Sequence, residues 1–236
     1  MIDAIILARG GSKGIPKKNL KLFCGKPLIA WTILQAKLSK KIDNVYVSSD
    51  SLEILNISKK YGAKIIKRPS SISGDKAKSE SAILHALTVL GDKQKGIVML
   101  EPTAPLRSPK DLDNCIKLFI DQNWDSGFSG AYLADFLIWK NTRGKLKSIN
   151  YDSKKQGPRQ MREPDIVENG AIYIFKPNIM KKYNNRFGGN VGMYPMSFWQ
   201  SFEIDEIEDW TFVSLIFKNY LLHKYKYKYK FKKNDN

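Results

Sequence analysis

Short apolar runs alternate with amphipathic segments along this chain. Five of the runs have the length and composition of strands that are buried in a parallel sheet, and they cover residues 2–7, 45–50, 64–67, 97–100 and 170–175. Between the runs, apolar residues recur at helical spacing, as Leu28, Trp31 and Leu34 do. This alternation predicts an α/β fold with a doubly wound, mainly parallel sheet that binds its ligands beyond the carboxyl ends of the strands.

Proline, glycine and short polar residues mark the ends of the predicted helices. The helices are expected from Pro27 to Lys41, from Asp50 or Ser51 to near Gly62, over 79–90, from Pro109 onward and over 207–220. A further short strand is expected over 202–205, where Phe202 and Ile204 alternate with Glu203 and Asp205. Such a strand would place both carboxylates on one side.

The regular alternation gives way to aromatic and basic residues between Tyr132 and Glu168. We interpret 132–168 as a small appendage inserted into one domain that covers residues 1–222, which fits a chain of 236 residues. From His223 onward, lysine alternates with tyrosine or phenylalanine. The tail 223–236 is interpreted as an edge strand, a basic arm or a partly disordered end.

The formal net charge of +17 raises the possibility of a nucleic-acid or membrane surface as partner. The charge is concentrated, because the tail carries six lysines and one aspartate, and further cations lie in 9–21. A small anionic substrate accounts for the second group as well as DNA does. We therefore expect neither nucleic acid nor a membrane as partner, and we keep a basic polyanion-binding protein as the alternative from another class.

The compartment is predicted from the apolar stretches and the cysteines. No stretch of about 18 apolar residues is present, and the apolar start Met1–Ala8 is too short for a signal peptide. The two cysteines, Cys24 and Cys115, lack metal-ligand spacing and suit a reducing compartment. These features predict a cytoplasmic protein.

The loop that follows the first strand combines glycines with cations. Its glycines let backbone N–H groups approach phosphate oxygens, and its cations neutralise the phosphates. These residues are Gly10, Gly11, Gly14, Arg9, Lys13 and Lys18. The spacing matches neither the Walker pattern nor Gly-x-Gly-x-x-Gly. The loop Arg9–Asn19 therefore predicts a phosphate site of another kind, with the bound anion offsetting the repulsion among the cations.

The loop and six later motifs resemble those of the N-acylneuraminate cytidylyltransferases, the CMP-sialic acid synthetases. The motifs occur in that family's order over about residues 2–215, and they are Ala8–Gly14 with Lys18 and Asn19, Ser48–Asp50, Lys67–Pro69, Glu101–Arg107, Pro158–Gln160, Asn169–Tyr173 and Ile204–Asp205. The resemblance implies a nucleotide-diphospho-sugar transferase-like, Rossmann-like fold. It also implies a homodimer that forms through the appendage, for which Tyr132, Phe136, Leu137 and Trp139 are suitably apolar.

The resemblance assigns roles to particular residues. Those expected on the nucleotide are Ala8, Arg9, Gly10, Gly11, Ser12, Lys13, Lys18, Asn19, Arg68 and Ser79. Those expected on the sugar are Glu101, Arg159, Gln160 and Asn169. Glu203 and Asp205 resemble the family's acidic pair and suit Mg²⁺, a hard ion that prefers oxygen. The residues expected to act in catalysis are Arg9, Lys13, Lys18 and Asp205.

Several of these positions have plainer alternatives or depart from the family. Ser79 is also a possible helix cap, Asn169 a turn cap and Arg107 a surface residue. Glu101 stands where the family commonly has glutamine, and an ionised carboxylate cannot donate a hydrogen bond. Glu168 stands where many members have arginine, so another cation must replace that arginine if the charge is needed.

The implied reaction is attack by the anomeric hydroxyl of a sialic-acid-type nonulosonic acid on the α-phosphorus of CTP, with release of pyrophosphate. Catalysis would be mainly positioning and charge stabilisation. Because Glu101 departs from the family, legionaminic acid, pseudaminic acid and a Kdo-like sugar stay open as alternative substrates. Neither histidine has a serine or cysteine partner at a readable spacing, so triad chemistry is not supported.

Overall fold

The computed structural model describes residues 1–74, 77–133, 136–155, 157–158 and 163–223. Seven strands form its central sheet, and they are β1 (Ile2–Leu7), β4 (Asn44–Ser49), β5 (Lys64–Lys67), β6 (Gly96–Leu100), β7 (Ser126–Leu133), β10 (Asp165–Phe175) and β11 (Val191–Pro195). Two short strands, β2 (Leu22–Phe23) and β3 (Lys26–Pro27), pair separately, as do β8 (Trp139–Thr142) and β9 (Lys145–Ser148).

Six α-helices connect the strands. They are α1 (Leu28–Leu38), α2 (Leu52–Lys60), α3 (Ser79–Leu90), α4 (Pro109–Asp121), α5 (Pro177–Tyr183) and α6 (Ile207–Phe217). Ser51 caps α2 by accepting from the Ile54 N–H, and Ser108 with Asp111 forms a capping box on α4. After α6, the chain continues as a π-helical turn through Leu222. No described helix is long and apolar enough to cross a bilayer.

The strand order β11-β7-β10-β6-β1-β4-β5 confirms the predicted doubly wound, mainly parallel sheet. The neighbours β6, β1, β4 and β5 run parallel, whereas β10 is antiparallel to both β6 and β7. Alternate residues of β1 enter different cores, because Ala4 and Ile6 pack with α1 and α4 whereas Ile5 packs with α3 and α5. Helices therefore cover both faces of the sheet.

Two strands of the central sheet and one helix were missed from the sequence. β7 contains Ser126, Gly127, Ser129 and Gly130, which interrupt the apolar pattern expected of a buried strand. β11 is short and begins after a glycine-rich turn, and α5 spans only seven residues. These elements gain their stability from pairing and packing within the sheet.

The predicted appendage shares its two ends with the central sheet. β7 runs to Leu133 and β10 begins at Asp165, and their ladder pairs Leu133 with Asp165 and Gly130 with Glu168. The hairpin β8–β9 lies between them and pairs only with itself. Tail residues 224–236 lie outside the described residues, so the division at residue 222 stays a prediction.

Candidate active site

A cavity of about 520 Å³ lies beyond the carboxyl ends of β1 and β6. Most residues singled out from the sequence line it, and they are Arg9, Ser12, Lys13, Lys18, Asn19, Arg68, Ser79, Glu101, Glu203 and Asp205. The lining also includes Leu7, Gly14, Ala77, Lys78, Pro102, Thr103 and Glu206. Residues that are almost 200 positions apart in the chain therefore meet at the expected edge of the sheet.

The basic loop is held at both ends by side-chain hydrogen bonds. The Asn19 amide donates to the Arg9 carbonyl at 3.2 Å, and the Gly10 N–H donates to Asp50 Oδ1 at 2.9 Å. The Gly10 N–H is thus occupied by a carboxylate of this chain. Ala8, Gly10 and Gly11 are absent from the described cavity lining, so side chains of the loop supply more of this wall than the sequence suggested.

Gly14 is the glycine whose small size the fold requires. A Cβ at this position would lie 2.3 Å from the Asp205 carbonyl oxygen and 2.9 Å from Glu206 Oε1. Gly11 is different, because a Cβ there would meet nothing within 4 Å. The basic loop therefore packs directly against the acidic segment 203–206 through Gly14.

This difference predicts that alanine at Gly14 destabilises the fold and that alanine at Gly11 does not. We expect Gly14→Ala to lower the free energy of unfolding by about 1–3 kcal/mol, because the backbone of Asp205 must move to admit the methyl group. Gly11→Ala should change it by less than about 0.5 kcal/mol. Urea unfolding of both variants makes the comparison, and equal effects would show that the loop does not pack on the acidic segment.

Lys18 joins the loop to the acidic segment. Its ammonium group donates to the Ile204 carbonyl at 2.6 Å and to Asp205 Oδ1 at 2.9 Å. The Lys18 side chain is only 11% exposed, whereas the Asp205 side chain is 71% exposed. The lysine is therefore fixed in the cavity wall, and the carboxylate is open to solvent.

The predicted strand over 202–205 is wrong, because the chain is irregular there after a 3-10 turn at Phe198–Ser201. The backbone groups bond to loops and side chains: the Ile204 N–H donates to the Thr103 carbonyl, and the Asp205 N–H donates to Asp209. Without a neighbouring strand, no ladder forms. Glu203 and Asp205 still line the same cavity, as predicted. An irregular chain places them there, and the strand that the apolar-polar alternation predicted does not form.

The carboxylates around this segment repel one another. Burial, followed by the charges of Glu101 and Asp205, raises the pKa of Glu203 to about 7, although the Thr103 hydroxyl donates to it at 3.4 Å. Burial first, and then Asp205 and Glu168, also raises the pKa of Glu101, while Arg186 and Arg107 oppose that rise. The charges of Glu101, Glu203 and Asp205 therefore act on one another across a short distance.

Asp209 fixes the acidic segment at the start of α6. Its carboxylate accepts from the N–H groups of Asp205 at 2.9 Å and Glu206 at 2.8 Å. These hydrogen bonds lower the pKa of Asp209 below its ordinary value of 3.8. Asp209 thus forms a capping box with Glu206 at the start of α6.

We expect Asp209→Ala to lower the free energy of unfolding by about 1 kcal/mol at neutral pH. Because the folded pKa of Asp209 is depressed, its ionised form contributes stability that is present above pH 3.8 and lost as the pH falls through the folded value. The difference between wild type and variant should therefore shrink in acid. Urea unfolding across this range tests it, with Glu208→Ala, in the same turn, as the control. A difference that is independent of pH would contradict the capping role.

The family model for cytidylyltransferases matches residues 4–210, which is most of this chain and includes every residue that lines the cavity. The chain belongs to the cytidylyltransferase family. It is 33% identical over 213 residues to N-acylneuraminate cytidylyltransferase A of Danio rerio, covering 89% of this chain and 49% of that protein. This cytidylyltransferase thus spans about half the length of that relative.

A second relative matches along nearly its whole length. Post-translational flagellin modification protein B of Campylobacter coli is 29% identical over 224 residues, covering 90% of this chain and 93% of that protein. Together with the Danio rerio protein, it confirms the resemblance that the motifs predicted. The flagellin relative is therefore close to this chain in length.

A solved structure confirms the fold of this cytidylyltransferase. The structure of CMP:2-keto-3-deoxy-manno-octonic acid synthetase complexed with CTP has a TM-score of 0.72 and covers 93% of this chain and 99% of that chain. The two sequences are 15% identical, so the likeness shows the α/β architecture alone.

On the nucleotide side predicted for this cytidylyltransferase, Arg68 and Ser79 are both held by neighbours. Arg68 is buried and donates to the Ser48 carbonyl at 2.9 Å, and burial lowers its pKa. The Ser79 hydroxyl accepts from Arg186 at 3.0 Å. Ser79 is the first residue of α3 and Lys78 precedes it as the capping residue, so Ser79 does not cap the helix.

Beside Ser79, the structure shows contacts that sequence reasoning missed. The Tyr173 hydroxyl donates to Glu168 Oε1 at 2.5 Å, and the Arg186 guanidinium lies 4.4 Å above the Tyr173 ring. Burial, with the adjacent Glu168, raises the pKa of Tyr173. Arg186 is isolated in an irregular segment with no motif around it, so the sequence carries no signal for it. It is a cation that packs on Tyr173, whose hydroxyl contacts Glu168.

Of the predicted sugar-binding residues, Asn169 is absent from the described cavity lining. Asn169 is 1% exposed, and its amide oxygen accepts from the Ser129 hydroxyl at 2.6 Å and the Ala171 N–H at 3.2 Å. These bonds favour the alternative of a turn-capping residue, next to Gly170 with its φ of +63°. Arg159 and Gln160 lie outside the described residues, and their role stays a prediction.

Proposed function

We propose that this cytidylyltransferase transfers CMP from CTP to the anomeric hydroxyl of a sialic-acid-type nonulosonic acid. The hydroxyl oxygen forms a bond to the α-phosphorus, the bond from that phosphorus to the bridging oxygen breaks, and pyrophosphate leaves. The hydroxyl proton passes to solvent. The proposal rests on one observation: residues of the basic loop Arg9–Asn19 and of the acidic segment 203–206 line the same cavity.

The chain's own residues contribute charge and position. Arg9 and Lys13 line the cavity where the loop follows β1, and there they would stabilise the triphosphate and the leaving pyrophosphate. Lys18 is already ordered by Ile204 and Asp205, so it loses little further freedom when phosphate oxygens approach. Arg68 and Ser79 also line the cavity, and they would hold the nucleoside.

We also propose that Glu203 and Asp205 hold Mg²⁺. The pair fits this ion, because Mg²⁺ keeps several waters and binds through one or two carboxylates together with substrate phosphates. Burial raises the pKa of Glu203 and the charges of Glu101 and Asp205 raise it further, and a divalent cation would offset the repulsion among these carboxylates. The described residues hold no group of three or more His, Cys, Asp or Glu side chains that could bind a metal, so the phosphates would complete the coordination. When bound, the ion supplies neutralisation of phosphate charge and a lower pKa for the attacking hydroxyl.

The experiment that tests the function is pyrophosphate release with each of the four nucleoside triphosphates and a panel of sugar acids. We expect turnover with CTP and at least one nine-carbon nonulosonic acid, loss of turnover in EDTA, and recovery with Mg²⁺. Mass spectrometry of the product should give the mass of the CMP-sugar. Turnover with only the eight-carbon Kdo would favour that alternative, and no turnover with any acidic sugar would contradict the proposal.

We propose a homodimer that forms through the appendage. The apolar side chains of this region are exposed, including Tyr132 at 52%, Trp139 at 47% and Leu146 at 66%. Burial of such side chains against a second copy would remove apolar area from water. Light scattering should give twice the chain mass, and Leu146→Lys should reduce it to the chain mass. Val89→Lys, at an exposed position on α3, is the control.

We propose the cytoplasm as the location of this reaction. Cys24 and Cys115 are both free thiols, which is typical of a reducing compartment. Burial raises the pKa of Cys24 to about 11 and that of Cys115 to about 12, so neither is poised to react. Fractionation of cells that express the protein tests the location.

A further inference from the structure

Glu101 lies where β6 ends, with its backbone held by the turn that follows. Its carbonyl oxygen accepts from the Ala104 N–H at 3.4 Å and from Arg107 at 3.1 Å. The residue itself is half-buried and lines the same cavity as the basic loop. The side chain is therefore presented to a ligand from a fixed backbone.

No hydrogen-bond donor from the described residues reaches the Glu101 carboxylate. The two nearest cations are committed elsewhere: Arg107 donates to backbone carbonyls and to Thr32, and Arg186 donates to Ser79 and Glu80. Both still act on Glu101 through their charge, and both lower its pKa against the effect of burial. The carboxylate is thus partly desolvated, and its negative charge is offset only by cations that do not hydrogen-bond to it.

A partly desolvated carboxylate gains most from a ligand that donates to it. An ionised carboxylate accepts hydrogen bonds and cannot donate, whereas a glutamine amide at the same position does both. A ligand group with only an acceptor oxygen would be repelled, and a cationic N–H group would be attracted. Glu168 adds negative charge nearby, which also favours a cationic group.

We propose that Glu101 is a specificity-determining residue that selects nonulosonic acids with a protonated amidine or amine on the substituent it faces. The inference rests on the proposed function and names the substrate class within it. The acid group of the sugar is still required for the proposed reaction. The nitrogen substituent distinguishes one nonulosonic acid from another.

The test uses pairs of nonulosonic acids that differ in one atom. One member carries an acetimidoyl group on a ring or side-chain nitrogen, and the other carries an acetyl group on the same nitrogen, with one pair for each nitrogen of the sugar. The two groups have nearly the same shape, but the amidinium has an N–H donor where the amide has an oxygen. The ratio of kcat/KM for amidine over amide is measured for wild type and for Glu101→Gln.

We expect the wild-type ratio to favour the amidine in one of the pairs, and Glu101→Gln to lower that ratio about tenfold or more. Glu80→Gln is the matched control, because Glu80 is a neighbouring carboxylate that contacts Arg186 and is not part of the described cavity lining. Its ratio should equal that of the wild type. Thermal unfolding of both variants shows that each is folded.

The outcomes distinguish a failure of this inference from a failure of the proposed function. Equal ratios in wild type and Glu101→Gln overturn the selectivity, while turnover of either sugar still supports the cytidylyltransferase reaction. A wild-type preference for the amide in every pair overturns the selectivity as well. If no nonulosonic acid releases pyrophosphate from CTP, the proposed function fails and the inference fails with it.

Discussion

Replacing Lys18 with glutamine is expected to lower kcat/KM for CTP by about a hundred- to a thousandfold, the usual cost of removing one fixed charge from a phosphate or oxyanion site. Lys18 is buried to 9% exposure and donates to both the Ile204 carbonyl and Asp205. Glutamine keeps a hydrogen-bond donor but loses the positive charge, so the loss falls mainly on stabilisation of the phosphates.

Lys17 provides a matched control for this substitution. It is the adjacent lysine, but its side chain is 71% exposed and pairs with Glu53 on the surface at 3.0 Å. Surface ion pairs of this kind contribute about 0–1 kcal/mol. Lys17→Gln should therefore leave kcat/KM within about threefold. Equal losses in the two variants would show that the loop acts through its total charge and that the ordering of Lys18 is unimportant.

The measurement needs to separate activity from folding, because Lys18 also links two segments. Steady-state kinetics with varied CTP should be accompanied by urea unfolding of each variant. Lys18→Arg restores the charge with a different shape, so a partial recovery of kcat/KM is expected. A loss of stability with no loss of activity in the folded fraction would assign Lys18 a structural role only.

Replacing Arg107 with methionine is expected to give the largest loss of stability, about 3–5 kcal/mol. Arg107 is fully buried, and its guanidinium donates to the carbonyls of Glu101, Ala104 and Ala171 and to the Thr32 hydroxyl. Methionine fills much of the volume but leaves these acceptors without their donor. Urea or thermal unfolding measures the loss.

The control for this prediction is Lys110→Met, an exposed cation in the first turn of α4. Its free energy of unfolding should change by less than about 0.5 kcal/mol. Arg107→Lys keeps the charge but cannot reproduce the planar guanidinium, so an intermediate loss is expected. A stable Arg107→Met variant would mean that the turn 101–107 is held by other contacts.

Arg107 also shows where local sequence is a poor guide. From the motif alone it was as readily a surface residue as a functional one, since charged residues are mostly exposed. The structure buries it beneath β10, where it connects the end of β6 to α1. That role depends on Ala171 and Thr32, which are distant in sequence, so no local pattern indicates it.

The acidic segment 203–206 shows a second limit of local sequence patterns. The two carboxylates were correctly expected to act together, but the period-two pattern that suggested a strand had another origin. Ile204 is buried against Leu106 and α6, and its N–H and carbonyl bond to Thr103 and Lys18. An alternating pattern requires only that one side is buried, and it does not specify a ladder of strand hydrogen bonds.

The sequence by itself determined the α/β class, the bounds of the regular strands β1 and β5 and of helix α3, and the position of the basic loop after β1. These features follow from local periodicity, glycine and charge, which act over a few residues. Tertiary structure decided how the groups around the site meet: Lys18 lies beside Asp205, Glu101 has no donor among the described residues, and Arg186 lies over Tyr173. Those arrangements are set by packing between segments that are far apart in the chain, and local sequence patterns do not indicate which of those segments meet.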